Sequence, residues 1–271
     1  MILRRLVNAI KTQDWFTVLI EILIVMIGIF LGLQVTEWNK ARTDSQREVQ
    51  VLQQITTDLL SDLGDYSSSI DATLNKIATA TYIIEETTKA SSSLLIDGVV
   101  YGAVTYQSYL DSNTLLREKS FAQRVEALTN EYWSFSILVS NAQPSTTAFD
   151  SIVSSGELSI LSNKELVQSL QEYRYITSAL QKAQDVTFRP ARDNAINIGQ
   201  QYGLSVFGGV EKARLFELAS TNPQLMATIQ TQLGWAKDHF VLLSATQSRA
   251  KVLLNKIHQE LGVSASEEGD L

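Results

Sequence analysis

Few residues in this chain have the type and spacing to do chemistry. His239 and His258 are the only histidines, and there is no cysteine. The two histidines fall on one C-terminal helical stretch but far more than four residues apart, so they do not form the i, i+4 pair that holds a metal on a helix. His239, next to Phe240, reads as a packed or surface histidine, and His258, after Ile257, as a solvated one. Neither has a neighbouring Ser, Thr or acid at a spacing that makes a nucleophile, base and orienter. Gly208 and Gly209 lack the Lys-Ser/Thr that would follow in a phosphate-cradling loop and read as a turn. The acids are scattered on helix faces as solvated charge. No catalytic residue, metal ligand or cofactor site is expected, and the chain does not read as an enzyme.

One acid is different. Glu21 lies inside Trp15–Val35, WFTVLIEILIVMIGIFLGLQV, an otherwise nearly unbroken apolar run. As a helix this run is about 31 Å long, close to the roughly 30 Å of a bilayer's hydrocarbon core. It is too long for the apolar part of a signal peptide, and no small-x-small cleavage site follows it. Residues 15–36 are therefore expected to form a transmembrane helix, with Trp15 and Trp38 at the two interfaces. Glu21, Val25, Gly28, Gly32 and Val35 share one face, where the two glycines allow close backbone approach. A carboxyl in lipid is costly, so this face is expected to meet protein, in a second copy or in another membrane protein. One acid on one span cannot make an ion pathway alone.

Before the span, residues 1–14 place Ile2, Leu6, Ala9 and Ile10 on one face and Arg4, Arg5, Asn8 and Lys11 around the other, an amphipathic arm at the lipid headgroups. Basic residues flank the span on both sides; the arm favours an N-terminus in the cytoplasm and a C-terminal domain outside it. The whole chain has 22 basic and 29 acidic residues, and the part after the span is the acidic part. Nucleic acid and anionic lipid are excluded as partners of that part, because both require clustered Lys and Arg. With 3 prolines and 13 glycines in 271 residues, the composition suits long helices.

The periodicity agrees. From Thr36 to Ala90 only Gly64 could interrupt a helix, and Leu52, Ile55, Leu59, Leu63, Tyr66, Ile70, Leu74 and Ile77 form a stripe with an eleven-residue repeat. The membrane helix should continue into this long one. The stretch from Leu94 to Thr114 reads as a hairpin at Asp97-Gly98 or as a short helix and loop. A second helical segment is expected over Thr114–Val139, with Tyr132, Trp133 and Phe135 in the core, and Pro144 ends it. A short helix capped by Ser145, Thr146 or Thr147 should close at a left-handed Gly156. The next helix is capped by Ser162 or Asn163 and bent or divided at Pro190. Gln200–Val210 reads as a loop. The last helix starts at Pro223 with Asn222 as cap, carries a heptad seam from Leu233 to Leu261, and closes at Gly262. Residues 263–271 read as a disordered acidic tail.

Two stretches, LGLQVTEWNKAR (Leu31 to Arg42) and AFDSIVSSGELSILSNKELVQSLQEY (Ala148 to Tyr173), resemble an uncharacterised bacterial family of single-pass membrane proteins of unknown function. In that family an anchor ending Gln-x-x-x-Trp-Asn precedes a helical domain with a Ser-Gly, Asn-Lys-x-Leu pattern. Gln34, Trp38, Asn39, Gly156, Asn163, Lys164 and Leu166 carry the match. The resemblance implies an anchored helical domain and no activity.

The expected fold is all-α: one N-terminal transmembrane helix continuing into a long helix, then an elongated antiparallel helical bundle over residues 37–262. The expected function is that of a membrane-anchored interaction or scaffold protein, held by lipid through its anchor, that self-associates or pairs with a membrane protein. The alternative is an extracytoplasmic ligand-sensing domain that signals through a partner.

Overall fold

The computed structural model describes residues 15–88 and 106–263. The amphipathic arm, the Asp97-Gly98 hairpin and the acidic tail beyond Val263 lie outside the described residues, as do the side chains of Trp15 and Glu21. Among the described residues every regular element is helical. The chain divides into two compact units, Met1–Val51 and Leu52–Leu271.

The described part of the first unit, residues 15–51, is one continuous helix, the start of α1 (Trp15–Thr88). From Leu19 to Val35 its described apolar side chains are 40–66% exposed on all sides. It is the one helix among the described residues long and apolar enough to cross a membrane, and none of its apolar window is buried.

The second unit is organised by the rest of α1, by α7 (Lys164–Ala183) and by α10 (Pro223–Leu261). The stripe on α1 is buried as its spacing requires, with Leu63 half-buried. So is most of the α10 seam, where Gln247 and Leu261 remain half-buried. Side-chain bonds set the directions. Ser67 pairs with Gln247 and Lys76 with Gln232, so α10 runs antiparallel to α1. Asn163 pairs with Glu260 and Ser169 with Lys256, so α10 is antiparallel to α7 as well. It follows that α1 and α7 are parallel to each other. Gly64, which a helix tolerates at a cost of about 1 kcal/mol relative to Ala, does not break α1.

Shorter helices fill the sides: α2 (Tyr106–Ser112), α3 (Thr114–Glu118), α4 (Phe121–Glu126), α5 (Tyr132–Ile137), α6 (Thr147–Ser155), α8 (Arg189–Gln201) and α9 (Lys212–Thr221). The single helix expected over Thr114–Val139 is thus three. The side chain of Asn113 caps α3, and Ser120 with Gln123 forms a capping box that starts α4. Glu131 accepts from the N–H groups of Thr129 and Asn130 in the turn before α5. Phe135, expected in the core with Tyr132 and Trp133, is exposed.

The helix expected to bend or divide at Pro190 is divided just before it, into α7 and α8. A widened π turn over Gln184–Phe188 joins α7 to α8, with the Arg189 N–H bonded back to Gln184 O. That extra residue makes room for a ring with no N–H to give. Gly156 and Gly262 are left-handed (φ 75° and 69°) and close α6 and α10 as their positions imply, and Asn163 caps α7 with bonds from two backbone N–H groups. Asn222 occupies the cap position of α10 without capping it; its amide donates to Leu218 O instead.

Candidate functional site

The polar groups of interest lie inside the second unit, on the seam of α1 itself. Asp62, Tyr66, Ser69, Thr73 and Lys76 follow one another at steps of four and three, so they share a helix face, and all are buried. A lysine in this position has to be satisfied by its neighbours.

Lys76 is 3% exposed. Its Nζ donates to Ile137 O at the end of α5 (3.1 Å) and to Gln232 Oε1 on α10 (2.7 Å). Gln232, also buried, donates from Nε2 to Ala191 O on α8 (2.9 Å), so one carboxamide ties α1, α8 and α10 together. Burial, helped by the Arg192 guanidinium, lowers the Lys76 pKa to about 7. Next to it His239 is 2% exposed, its ring 4.7 Å from that of Phe188. Burial first, then Lys76, lowers the His239 pKa to about 3, and its Nε2 has no hydrogen-bond partner. Phe188 is the last residue of the π turn and also stacks edge-on against Trp235 at 6.0 Å. The π turn required by Pro190 therefore also aims the ring that covers His239.

These side chains enclose a cavity of about 10 Å³ between Lys76, Phe188, Trp235 and His239. That is about the room of one water, too small for a substrate. On the other side of Gln232 an open groove of about 320 Å³ runs between α8 and α10, with Asn194, Gln224, Thr228 and Trp235 in its walls. A half-neutral amine can act as a base or attack a carbonyl. Here it is closed off from the groove by Gln232 and can only exchange a proton.

A second network lies nearer the Leu52 end. Tyr173 on α7 donates to Asp62 Oδ2 (2.7 Å) and accepts from Tyr66 (2.9 Å), while the Ser145 N–H donates to Asp62 Oδ1 (2.6 Å). Burial raises the Asp62 pKa, opposed by the bonds from Ser145 and Tyr173. Burial also raises the pKa of both tyrosines, which keeps them as donors. One turn earlier, Asp58 accepts from the Ala148 N–H. The start of α6 is thus served by two carboxylates of α1, at its helix-dipole positive end. The expected local cap is absent, because Thr146 Oγ1 donates to Asp150 instead.

The residues singled out from the sequence lie in the first unit. Val25 and Val35 are exposed, as is Trp38, and Gly28 and Gly32 have open space where a Cβ would stand. Val25, Gly28, Gly32 and Val35 share one helix face with Glu21, which no described residue covers. Asp62, Lys76 and Gln232 are polar and so do not belong to a stripe defined by apolar positions. The signal was present as polar residues continuing the same three-and-four spacing. Among the described residues no group of His, Cys, Asp and Glu is arranged to hold a metal.

No known protein family, no curated protein and no solved structure matches the chain.

Proposed function

We propose that this is a non-enzymatic, single-pass, membrane-anchored scaffold or interaction protein, its helical body outside the cytoplasm. The observation that carries this reading is the apolar surface of α1 from Leu19 to Val35, exposed on every side. Water does not tolerate so large a continuous apolar patch, and lipid does. A helix at a membrane has every backbone bond satisfied internally, which suits it to this role. The same helix runs on to Thr88, and within the second unit its stripe is buried.

In this reading the anchor pairs through Glu21, Val25, Gly28, Gly32 and Val35, either with a second copy or with a partner span. Lipid offers no hydrophobic drive between helices, so close backbone contact at the glycines and a shielded carboxyl distinguish this face from the others. A transmembrane association assay on the span tests it. Gly28→Ile with Gly32→Ile should abolish association, Glu21→Gln should weaken it less, and Met26→Ile on the opposite face should be silent. If the double glycine variant and Met26→Ile behave alike, pairing through this face is wrong. A reporter active only in the cytoplasm, fused after Leu271, should be inactive; activity would reverse the topology.

The ligand-sensing alternative has one observation in its favour, the open groove between α8 and α10 over Gln232. A small ligand there would bear on the amide that joins three helices.

A further inference from the structure

Around Lys76 the hydrogen bonding is incomplete in one direction. A lysine nitrogen has three positions besides its bond to carbon, and here two of them are used, on Ile137 O and Gln232 Oε1. The third carries a hydrogen when the amine is charged and a lone pair when it is neutral. His239, buried nearby on α10, has an Nε2 that meets no protein partner. One turn before Lys76 on α1, the buried Thr73 gives its hydroxyl hydrogen to Ser69 O (2.7 Å) and keeps lone pairs that can accept. All three side chains line the same cavity of about 10 Å³, whose other walls are mainly apolar, Phe188 and Ala236 among them.

We propose that this cavity is the site of one structural water, which joins Lys76 and Thr73 of α1 to His239 of α10.

Size and chemistry both support it. The space is that of a single water, and three polar partners is the usual number for a buried one, whereas cavities with purely apolar walls stay dry. A buried amine position or imidazole nitrogen that bonds to nothing is costly at low dielectric, so an occupant that satisfies both is favoured.

Water also fits both charge states of the amine, because it donates and accepts. With Lys76 charged, Nζ donates to the water, whose two hydrogens go to His239 Nε2 and Thr73 Oγ1. With Lys76 neutral, the water donates to the Nζ lone pair and to Thr73 Oγ1, and the other tautomer of His239 donates from Nε2 to the water. Both states matter near neutral pH, since burial brings the Lys76 pKa to about 7 and keeps His239, at about 3, uncharged. A halide ion only accepts, so it would suit the charged amine alone, and it is larger than the space.

Crystals of the full-length protein, grown in detergent at pH 6 and at pH 9, test this. Both should show one density peak about 2.7–3.2 Å from Lys76 Nζ, His239 Nε2 and Thr73 Oγ1. Bromide in place of chloride should give no anomalous signal there. In solution, the His239 ring should show an NMR cross-peak to a water that outlives surface hydration, and Lys76→Met, which removes the amine, should lose it. An empty cavity, a peak that touches only one of the three side chains, a bromide signal, or a peak present at pH 6 and gone at pH 9 would overturn the proposal.

Discussion

Replacing Lys76 with Met keeps a side chain of similar length and removes the proton. An unfolded lysine titrates near 10.5, whereas in the folded body burial lowers Lys76 to about 7. Between these values the unfolded chain holds a proton that the folded chain does not, so stability rises with pH through the window from 7 to 10.5. Below about pH 7 the full penalty is present. Each pKa unit is worth about 1.4 kcal/mol. Because the folded group is still half protonated at pH 7, from pH 7 to pH 9 the wild type should gain about 2 kcal/mol over Lys76→Met, or about 4–8 °C in melting temperature for a body of this size. The bonds to Ile137 O and Gln232 Oε1 that Met cannot make lower the variant at every pH alike and drop out of this difference. Other perturbed groups titrate outside the window. The low pKa of His239, about 3, makes stability fall as pH drops from 6.5 towards 3. Burial raises Asp238 to about 6, so its penalty grows as pH rises from 3.8 to 6 and is complete before pH 7. Tyr66 and Tyr173 are shifted upward, away from the window. The assay is thermal unfolding of both full-length proteins in detergent at pH 7, 8 and 9. A difference in melting temperature that stays constant across the three values refutes the buried, half-neutral lysine.

Gly199→Ala should lower stability by about 1–3 kcal/mol. Its Cβ would clash with Trp133 Cζ2 and lie 2.7 Å from Cε2 and 3.1 Å from Cη2, in a ring locked in the core. Gly234→Ala, at an exposed position inside α10 with nothing within 4 Å, should raise it by about 0.5–1 kcal/mol; equal shifts in thermal unfolding would count against both assignments. Tyr173→Phe leaves Asp62 Oδ2 without its side-chain donor and should cost about 1–3 kcal/mol in denaturant unfolding. Asn163→Ala removes the cap that receives two N–H bonds at the start of α7 and should cost about 1 kcal/mol, seen as faster hydrogen exchange in its first turn.

The all-α class, the long helix that continues from the apolar stretch to Thr88, the buried stripe of α1 and the C-terminal seam were all legible in the sequence. Each rests on a repeat that a helix converts directly into a face, and burial of that face follows from the hydrophobic effect wherever a partner exists. The ends marked by Asn163, Gly156 and Gly262 were legible for the same reason: the side chain or the left-handed residue that makes the end is local to it. The division of Thr114–Val139 by Asn113 and Ser120 was encoded just as locally and was masked by the run of aromatic residues. Tertiary structure alone decided the rest. Asp58 and Asp62 serve a helix more than eighty residues away, Pro190 is absorbed by a turn whose Phe188 covers His239, and Gln232 places one amide between Lys76 and the backbone of α8. A polar group accepts any partner of matching geometry, so its choice depends on which elements pack together, and that information is spread over the whole chain.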